Sequence, residues 1–424
     1  GSRLRKISRS FNSTCVLYYN KLPKDVYDMS ISRFKTFIKH KLCSKVRCNI
    51  TLLCLHYIQF LLLVSLACIL TLNSLQNYID KLQASEHWKD MSYFELNLET
   101  WRQLWRVTEM CDVLLLIVDV RFAGLMAPPS LYTHIVQELN KNMIIVLNKI
   151  DLVPPTVVCA WKEYFGRVFP GVKVVYFTSW LQIRRRKGRL RMCVEGSTQL
   201  LEACKDIVGG EVDLSSWEQK IKEEMNLEDD DQVEIGETII EKPDTTYYTH
   251  ERFKNGVLTI GCCGQPNVGK SSLMNAVLGK KRLSVSKTPG HTKHFQTIFA
   301  TPTVRFCDCP GLVFPSKVPR AVQILMGSYP IAQLREPYTT IRYLAERLPL
   351  PKLLRIDHPE NDDTWSPRDI CDGWAKKRGY ITAKAARLDT YRAANSLLRM
   401  ALDGSICLWL RPPNYSQDIG EIFG

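Results

Sequence analysis

The sequence predicts an α/β fold, a doubly wound and mostly parallel sheet followed by a C-terminal helical region. Three observations carry this. Between residues 113 and 315, short β-branched, apolar runs alternate with stretches of helical period. A glycine-rich loop at 264–271 stands between one such run and one such stretch. Beyond about residue 316 the alternation stops and helical spacing takes over. The 424 residues are 45% hydrophobic and 24% charged, and 9 Trp, 17 Tyr and 15 Phe exclude a wholly disordered chain. No period of roughly 20 to 50 residues recurs, which argues against a solenoid.

Residues 1–74 hold 12 Lys and Arg against Asp25 and Asp28, so they carry most of the net charge of +14. The run Arg184–Arg191 (RRRKGRLR) supplies most of the remainder, and the rest of the chain is close to neutral. The opening Gly1-Ser2, without a methionine, is expected to mark a trimmed or tagged start. Within the basic N-terminal region, Ile50–Leu72 is uncharged and would span about 34 Å as a helix, enough to cross a bilayer. Arg33, Lys35, Lys39, Lys41, Lys45 and Arg47 precede it, against Lys81 and Lys89 after it. That bias would send residues 73–424 to the side opposite the N-terminus. Such a topology conflicts with the nucleotide chemistry derived below. A buried or aberrantly included hydrophobic segment is therefore favoured over a membrane or interfacial anchor. The 15 cysteines show no repeated pair spacing and read as reduced thiols of an intracellular protein, without disulfides or a zinc site.

In chain order, residues 75–112 form a helical lead-in. Val113–Val118, Met143–Leu147, Val172–Phe177, Val257–Cys263 and Val304–Cys307 read as strands. Leu131–Leu139, Val157–Phe165, Gln199–Val208 and Ser272–Leu278 read as helices. The basic run and the acidic stretch Glu223–Asp231, a solvated linker, belong to an insert at about 181–245. In the region 316–424, Ala375–Leu402 is a basic amphipathic stretch. Ala383, Ala386, Ala394, Leu397, Leu398 and Ala401 recur at helical spacing, with Lys384, Arg387, Arg392 and Arg399 between them. A helix packing one face and wetting the other is favoured over an RNA contact.

The strongest chemical signal is Gly264-Gln265-Pro266-Asn267-Val268-Gly269-Lys270-Ser271, which fits G-x-x-x-x-G-K-[ST] between a strand and a helix that continues through Ser272. Glycines let successive backbone amides face a phosphate chain, and the following helix aims its positive end at it. Lys270 would neutralise the β and γ phosphates, and Ser271 would ligate Mg²⁺. Asp308-Cys-Pro-Gly311 ends another predicted strand. There a carboxylate can hold Mg²⁺ through water and a glycine amide can approach the γ-phosphate. Asn148-Lys149-Ile150-Asp151 ends a third and matches N-K-x-D. Asp151 can accept from both the ring N–H and the exocyclic amine of guanine, whereas adenine would present an unprotonated ring nitrogen. Two such bonds, at about 1.5–3 kcal/mol each, give roughly 10² to 10⁴ of preference, so GTP and GDP are expected over ATP.

The order of these motifs, with 148–151 ahead of 264–271 and 308–311, resembles that of the circularly permuted GTPases, the YlqF/YawG group with its nucleostemin-like and large-subunit assembly members. The resemblance runs from roughly Leu75 to Tyr415. It is carried further by Tyr93–Val107, Asp119-Val-Arg121, Thr178-Ser179, Val285–Thr297 and Tyr391–Gly404. It implies that Thr178 and Ser179 touch the guanine carbonyl, and that Thr292 is the switch threonine reaching Mg²⁺ and the γ-phosphate. Residues 1–74 show no such resemblance. Trp180, Phe122 and Ala123 depart from the usual pattern.

Where familiar GTPases carry a glutamine after D-x-x-G, this chain has Leu312, which cannot orient water. The family resemblance implies instead that Asn267 helps to hold K⁺ where an arginine finger would otherwise sit. Slow basal hydrolysis of GTP, raised by K⁺ or by a large partner, is expected, with Lys270, Thr292, Asn267 and Gly311 as the catalytic set. The family implies a pre-ribosomal particle, RNA or protein, as the partner and a place in the nucleus, nucleolus or cytoplasm. Arg184–Arg191 would supply backbone contacts, with a nuclear-localisation signal or a plain solvated loop as the alternatives. The alternative function is a GTP- or GDP-dependent binding module with little turnover. Because the chain runs from Asp308–Gly311 straight into residues 316–424, nucleotide state is expected to move the helical region.

Overall fold

The computed structural model describes residues 91–178, 187–226, 251–278, 296–360, 364–382 and 387–415. The Ile50–Leu72 segment, Ser179, Trp180, residues 184–186, the acidic stretch beyond Asn226, and Thr292 lie outside the described residues. Among the described residues no helix is long and apolar enough to cross a membrane.

The lead-in becomes helix α1 (Leu98–Met110), which starts where the Asn97 side chain accepts from the amide of Glu99 at 3.0 Å. It buries Trp101, Leu104 and Val107 on one face. Lys141 closes it, its Nζ donating to the carbonyls of Thr108, Glu109 and Cys111 at 2.6, 2.9 and 2.8 Å, a cation where the helix leaves acceptors unpaired.

Among the described residues the six strands are β1 (Val113–Asp119), β2 (Asn142–Asn148), β3 (Lys173–Tyr176), β4 (Leu258–Cys263), β5 (Gln296–Thr301) and β6 (Val304–Asp308). They form one sheet in the order β3-β2-β1-β4-β6-β5. Every residue of β1 and β4 is buried, as expected of central parallel strands covered on both faces. The predicted strands all appear, with boundaries shifted by a residue or so. β5 was not anticipated: it is an antiparallel edge strand whose six residues (QTIFAT) include a Phe299 that is 41% exposed.

Helices α2 (Pro155–Val168), α3 (Lys187–Val208), α4 (Ser215–Asn226) and α5 (Lys270–Leu278) complete the layers around the sheet. α3 begins twelve residues before the predicted Gln199, and α4 carries Glu223 and Glu224 in a helix where a linker was expected. The predicted Leu131–Leu139 helix is a helical turn, Pro129–Tyr132, continued by a π-helical turn, Thr133–Glu138. The cysteines around β4 are buried, and burial pushes the thiols of Cys111 and Cys263 up to about 12. They act as small apolar side chains.

Beyond Gly311 come α6 (Arg320–Met326), α7 (Tyr338–Ala345), α8 (Leu350–Leu354), α9 (Pro367–Arg378) and α10 (Thr390–Leu402). The stretch Ala375–Leu402 is therefore two helices, not one. Gly379, at φ 66°, ends α9 in the left-handed conformation, Ile381 bridges Leu388, and the Asp389 side chain caps α10 by accepting from the amide of Arg392. Ala393, Ala394, Leu397, Leu398 and Ala401 are the buried face of α10. Burying Leu397 and Leu398 stabilises the region by about 1.5–3 kcal/mol each. Ala383, Lys384 and Ala386 lie outside the described residues.

Candidate nucleotide site at the carboxyl edge of the sheet

Strand register brings the three motifs to one edge. Asp119 at the end of β1 pairs with Asn148 at the end of β2, Leu116 of β1 with Cys263 at the end of β4, and Cys262 with Asp308 at the end of β6. The strand order reverses between β1 and β4. In open α/β sheets the crevice outside the carboxyl ends at such a point is where ligands bind.

The loop after β4 curls because Gly264, Asn267 and Gly269 adopt φ of 147°, 61° and 97°. Gly264 also has no room for a side chain, since a Cβ would lie 2.3 Å from the carbonyl oxygen of Ile117. The loop ends in α5, with Lys270, Ser271 and Ser272 in its first turn. The Lys270 ammonium is buried and donates back to the carbonyls of Gly264 and Gln265 at 3.2 and 2.8 Å, and burial lowers its pKa.

Opposite it, Ser271 Oγ donates to Asp308 Oδ2 at 2.8 Å. Asp308 is 1% exposed, and its Oδ1 has no hydrogen-bond partner among the described residues. Burial pushes its carboxyl up to about 6, against the pull of Lys270 and Ser271. Gly311 packs on the loop: a Cβ there would meet Pro266 Cα and N at 2.8 and 2.9 Å and Lys270 Nζ at 3.2 Å. Leu312 is buried, and its amide donates to the carbonyl of Gly264.

The Asn148–Asp151 segment meets the same loop. Asn148 Nδ2 donates to the carbonyl of Val268 at 2.7 Å, and Lys149 Nζ to that of Asn267 at 2.8 Å. Lys149 sits in the left-handed region at φ 62°, and Thr178 Oγ1 donates to Asp151 Oδ1 at 2.8 Å. Lys149 also donates to Asp119, which Arg121 grips with two guanidinium nitrogens. Burial alone would raise the Asp119 carboxyl, but Lys149 and Arg121 outweigh it and hold it well below the usual carboxylate range. A depressed carboxyl contributes stability that is present above its unfolded value near pH 4 and is lost as pH falls below it. Acid titration followed by circular dichroism should therefore show wild type losing stability below about pH 4 more steeply than Asp119→Asn.

The edge also contains contacts that reading the sequence did not anticipate. Asn267 Nδ2 donates to the carbonyl of Gly327 at 2.9 Å, and Ser328 Oγ donates to Gln265 Oε1. Arg121 reaches the carbonyls of Ala401 and Leu402. These partners lie 60 to 281 positions away, and no local pattern marks them. Only the glycine at the end of α6, Gly327 at φ 78°, carries a sequence signal, that of a helix stop.

A mostly parallel sheet with the phosphate-loop sequence after β4, D-x-x-G after β6, and N-K-x-D after the earlier β2 defines a circularly permuted P-loop GTPase domain. A family model described as 50S ribosome-binding GTPase matches residues 259–335. Over 378 residues the chain is 49% identical to guanine nucleotide-binding protein-like 1 of Homo sapiens, an alignment covering 82% of this chain and 62% of that protein. It is 31% identical over 352 residues to Large subunit GTPase 1 of Saccharomyces cerevisiae, covering 80% of this chain and 53% of that protein. GNP-bound YlqF from T. maritima is 16% identical with a TM-score of 0.43, covering 74% of this chain and 99% of that chain. The chain belongs to the circularly permuted GTPase family, and it spans 62% of the length of the guanine nucleotide-binding protein-like 1 relatives that it matches.

Proposed function

We propose that this chain binds GTP and GDP with Mg²⁺ at the carboxyl edge and hydrolyses GTP slowly to GDP and phosphate, in a step of ribosomal-particle assembly. The observation that carries this reading is the direct contact between two motifs: Asn148 and Lys149 donate to the carbonyls of Val268 and Asn267. This contact supports a reading in which a base-reading segment and a phosphate loop serve one nucleotide.

In this reading Asp151, steadied by Thr178, accepts from the two guanine donors, and Ser179 completes the base pocket. Backbone amides of Gly264–Ser272 and the ammonium of Lys270 take the phosphates; Lys270 exchanges its loop carbonyls for phosphate oxygens. The residues present fit Mg²⁺: Ser271 Oγ stands beside a buried carboxylate whose second oxygen has no partner among the described residues. Asp308 and Ser271, with Thr292, would hold the ion. Mg²⁺ would neutralise charge developing on the β–γ bridge. The Gly311 amide serves the γ-phosphate.

Leu312 turns no polar group toward a water, so basal turnover is slow. Asn267, whose amide nitrogen is used by Gly327, keeps its oxygen for K⁺. The printed names of the ribosome-binding family model and of Large subunit GTPase 1 support a pre-ribosomal partner, RNA or protein. GTP as substrate supports a nuclear or cytoplasmic location.

A fluorescent guanine nucleotide should be displaced by GTP and GDP and not by ATP at a hundredfold higher concentration. EDTA should weaken GTP binding, and hydrolysis should run faster in KCl than in NaCl. Equal displacement by ATP would remove the guanine assignment. Single-turnover hydrolysis on isolated pre-ribosomal particles should be abolished by Lys270→Ala and Thr292→Ala. A wild type equally inactive there is a binding module.

A further inference from the structure

Asp119 and Arg121 are wholly buried at the end of β1 and have no part in the roles above. The Asp119 carboxylate accepts from Arg121 Nε and Nη2 at 3.0 and 2.8 Å and from Lys149 Nζ at 2.7 Å. Each cation is tied at its other side. Lys149 donates to the carbonyl of Asn267, and Arg121 donates through Nη1 to that of Ala401 at 2.8 Å and through Nη2 to that of Leu402 at 3.2 Å. One unbroken hydrogen-bonded path therefore runs from the phosphate loop through Lys149, Asp119 and Arg121 to the last turn of α10.

Taking the Asp119 and Arg121 charges out of water, with Lys149 partly buried beside them, is costly, and apolar side chains of similar volume would hold these elements together at least as well. What charges add is direction. Lys149 occupies a left-handed backbone conformation, and its ammonium is pinned from two sides, so its side chain aims the turn that carries Asp151. The chain following α10 touches the same turn. Cys407 Sγ donates to the carbonyl of Leu152 at 3.0 Å, and Gly404 lies so close that a Cβ would meet Leu152 Cδ2 at 2.6 Å.

We propose that Asp119 and Arg121 are positioning residues that set how Lys149 and Asp151 meet the base, and that through them nucleotide affinity depends on the last turn of α10. The inference rests on the guanine-nucleotide reading. Coupling of this kind is reciprocal: a partner that holds the Ala401–Leu402 turn in place tightens nucleotide binding, and nucleotide orders that turn. A partner that pulls the turn away weakens it.

The test uses the full chain with Asp119→Asn/Arg121→Met, which removes both charges of the pair and leaves no lone buried carboxylate. Affinities for GTP, GDP and ITP, kinetic constants, and hydrogen exchange over residues 398–411 are measured. ITP lacks the exocyclic amine that Asp151 would read. In the double variant the Kd for GTP should rise about tenfold, as expected for loss of a charged hydrogen bond at the pivot. The ratio of ITP to GTP Kd should fall toward one, and KM should rise far more than kcat falls. GDP should protect residues 398–411 in wild type and not in the variant.

A general loss of stability would leave the ITP-to-GTP ratio of the folded fraction unmoved. Arg121→Lys keeps the charge and cannot serve both carbonyls. It should shift the ratio in the same direction by a smaller factor, and it carries the test should the double variant not fold. Unchanged discrimination and unchanged GDP protection in a folded variant would overturn this inference alone. A wild type that binds no guanine nucleotide would overturn the nucleotide reading and this inference with it.

Discussion

Gly264→Ala should lower the melting temperature by about 10 °C and abolish guanine-nucleotide binding, the largest loss expected from the removal of no functional group. The new methyl would lie 2.3 Å from the carbonyl oxygen of Ile117, inside the central strand β1, and neither backbone can retreat. The residue would also hold φ at 147°, a region open only to glycine. Together these cost about 4 kcal/mol, or about 10 °C at roughly 2–4 °C per kcal/mol for a domain of this size. Gly171→Ala separates the two causes. It too has a positive φ, 81°, but nothing lies within 4 Å of the added carbon. It should cost only about 1 kcal/mol and leave nucleotide binding intact. Differential scanning calorimetry and nucleotide titration check both; equal shifts for the two variants would show that the close packing of Gly264 on β1 has no weight.

Asp308→Asn should act in opposite directions on stability and on binding. A carboxyl raised from 3.8 to about 6 is disfavoured in the folded state once ionised. Its cost is absent below about pH 4, grows as pH rises from about 4 to 6, and is fully present above. On the order of 2–3 kcal/mol is involved. The amide keeps an acceptor for Ser271 and carries no charge, though its new N–H group needs a partner. The variant should therefore be about 1–2 kcal/mol more stable than wild type at pH 7.5 in EDTA, and near pH 4 it should have lost that advantage and be about 1 kcal/mol less stable. With GTP and Mg²⁺ the order should reverse, because wild type gains binding energy through the carboxylate and the variant does not. Thermal melts at the two pH values, with and without Mg²⁺–GTP, measure all four states. A variant stabilised by Mg²⁺–GTP as much as wild type would remove Asp308 from the metal site.

The strands were legible because β1, β2 and β4 are buried on both faces, and such strands are written as unbroken apolar runs. β5 escaped because an edge strand of mixed polarity carries no such run, and its pairing depends on β6 lying beside it. The stretch Ala375–Leu402 misled for a related reason. Its apolar residues recur at helical spacing, and that spacing outweighed Gly379 and Asp389, the stop and start that lie within the stretch. In the site, Lys270, Ser271, Asp308, Asn148 and Asp151 were all visible as motif positions. What they do to one another was not: the Oδ1 of Asp308, without a partner among the described residues, and the two anchors of Lys149 exist only after folding.

The chain's own order of residues determined which groups stand at strand ends, since a short apolar run followed by a turn-forming motif is a local property of neighbours in sequence. It determined the permuted succession of motifs for the same reason. Only the tertiary structure decided that the end of β1 is wired to α10, with Arg121 donating to Ala401 and Leu402 some 280 positions on. Hydrogen bonds to backbone carbonyls do not depend on which side chain the carbonyl belongs to, so nothing in the letters at 401 and 402 could announce them. Strand register and helix packing bring those carbonyls within reach, and both are properties of the assembled chain.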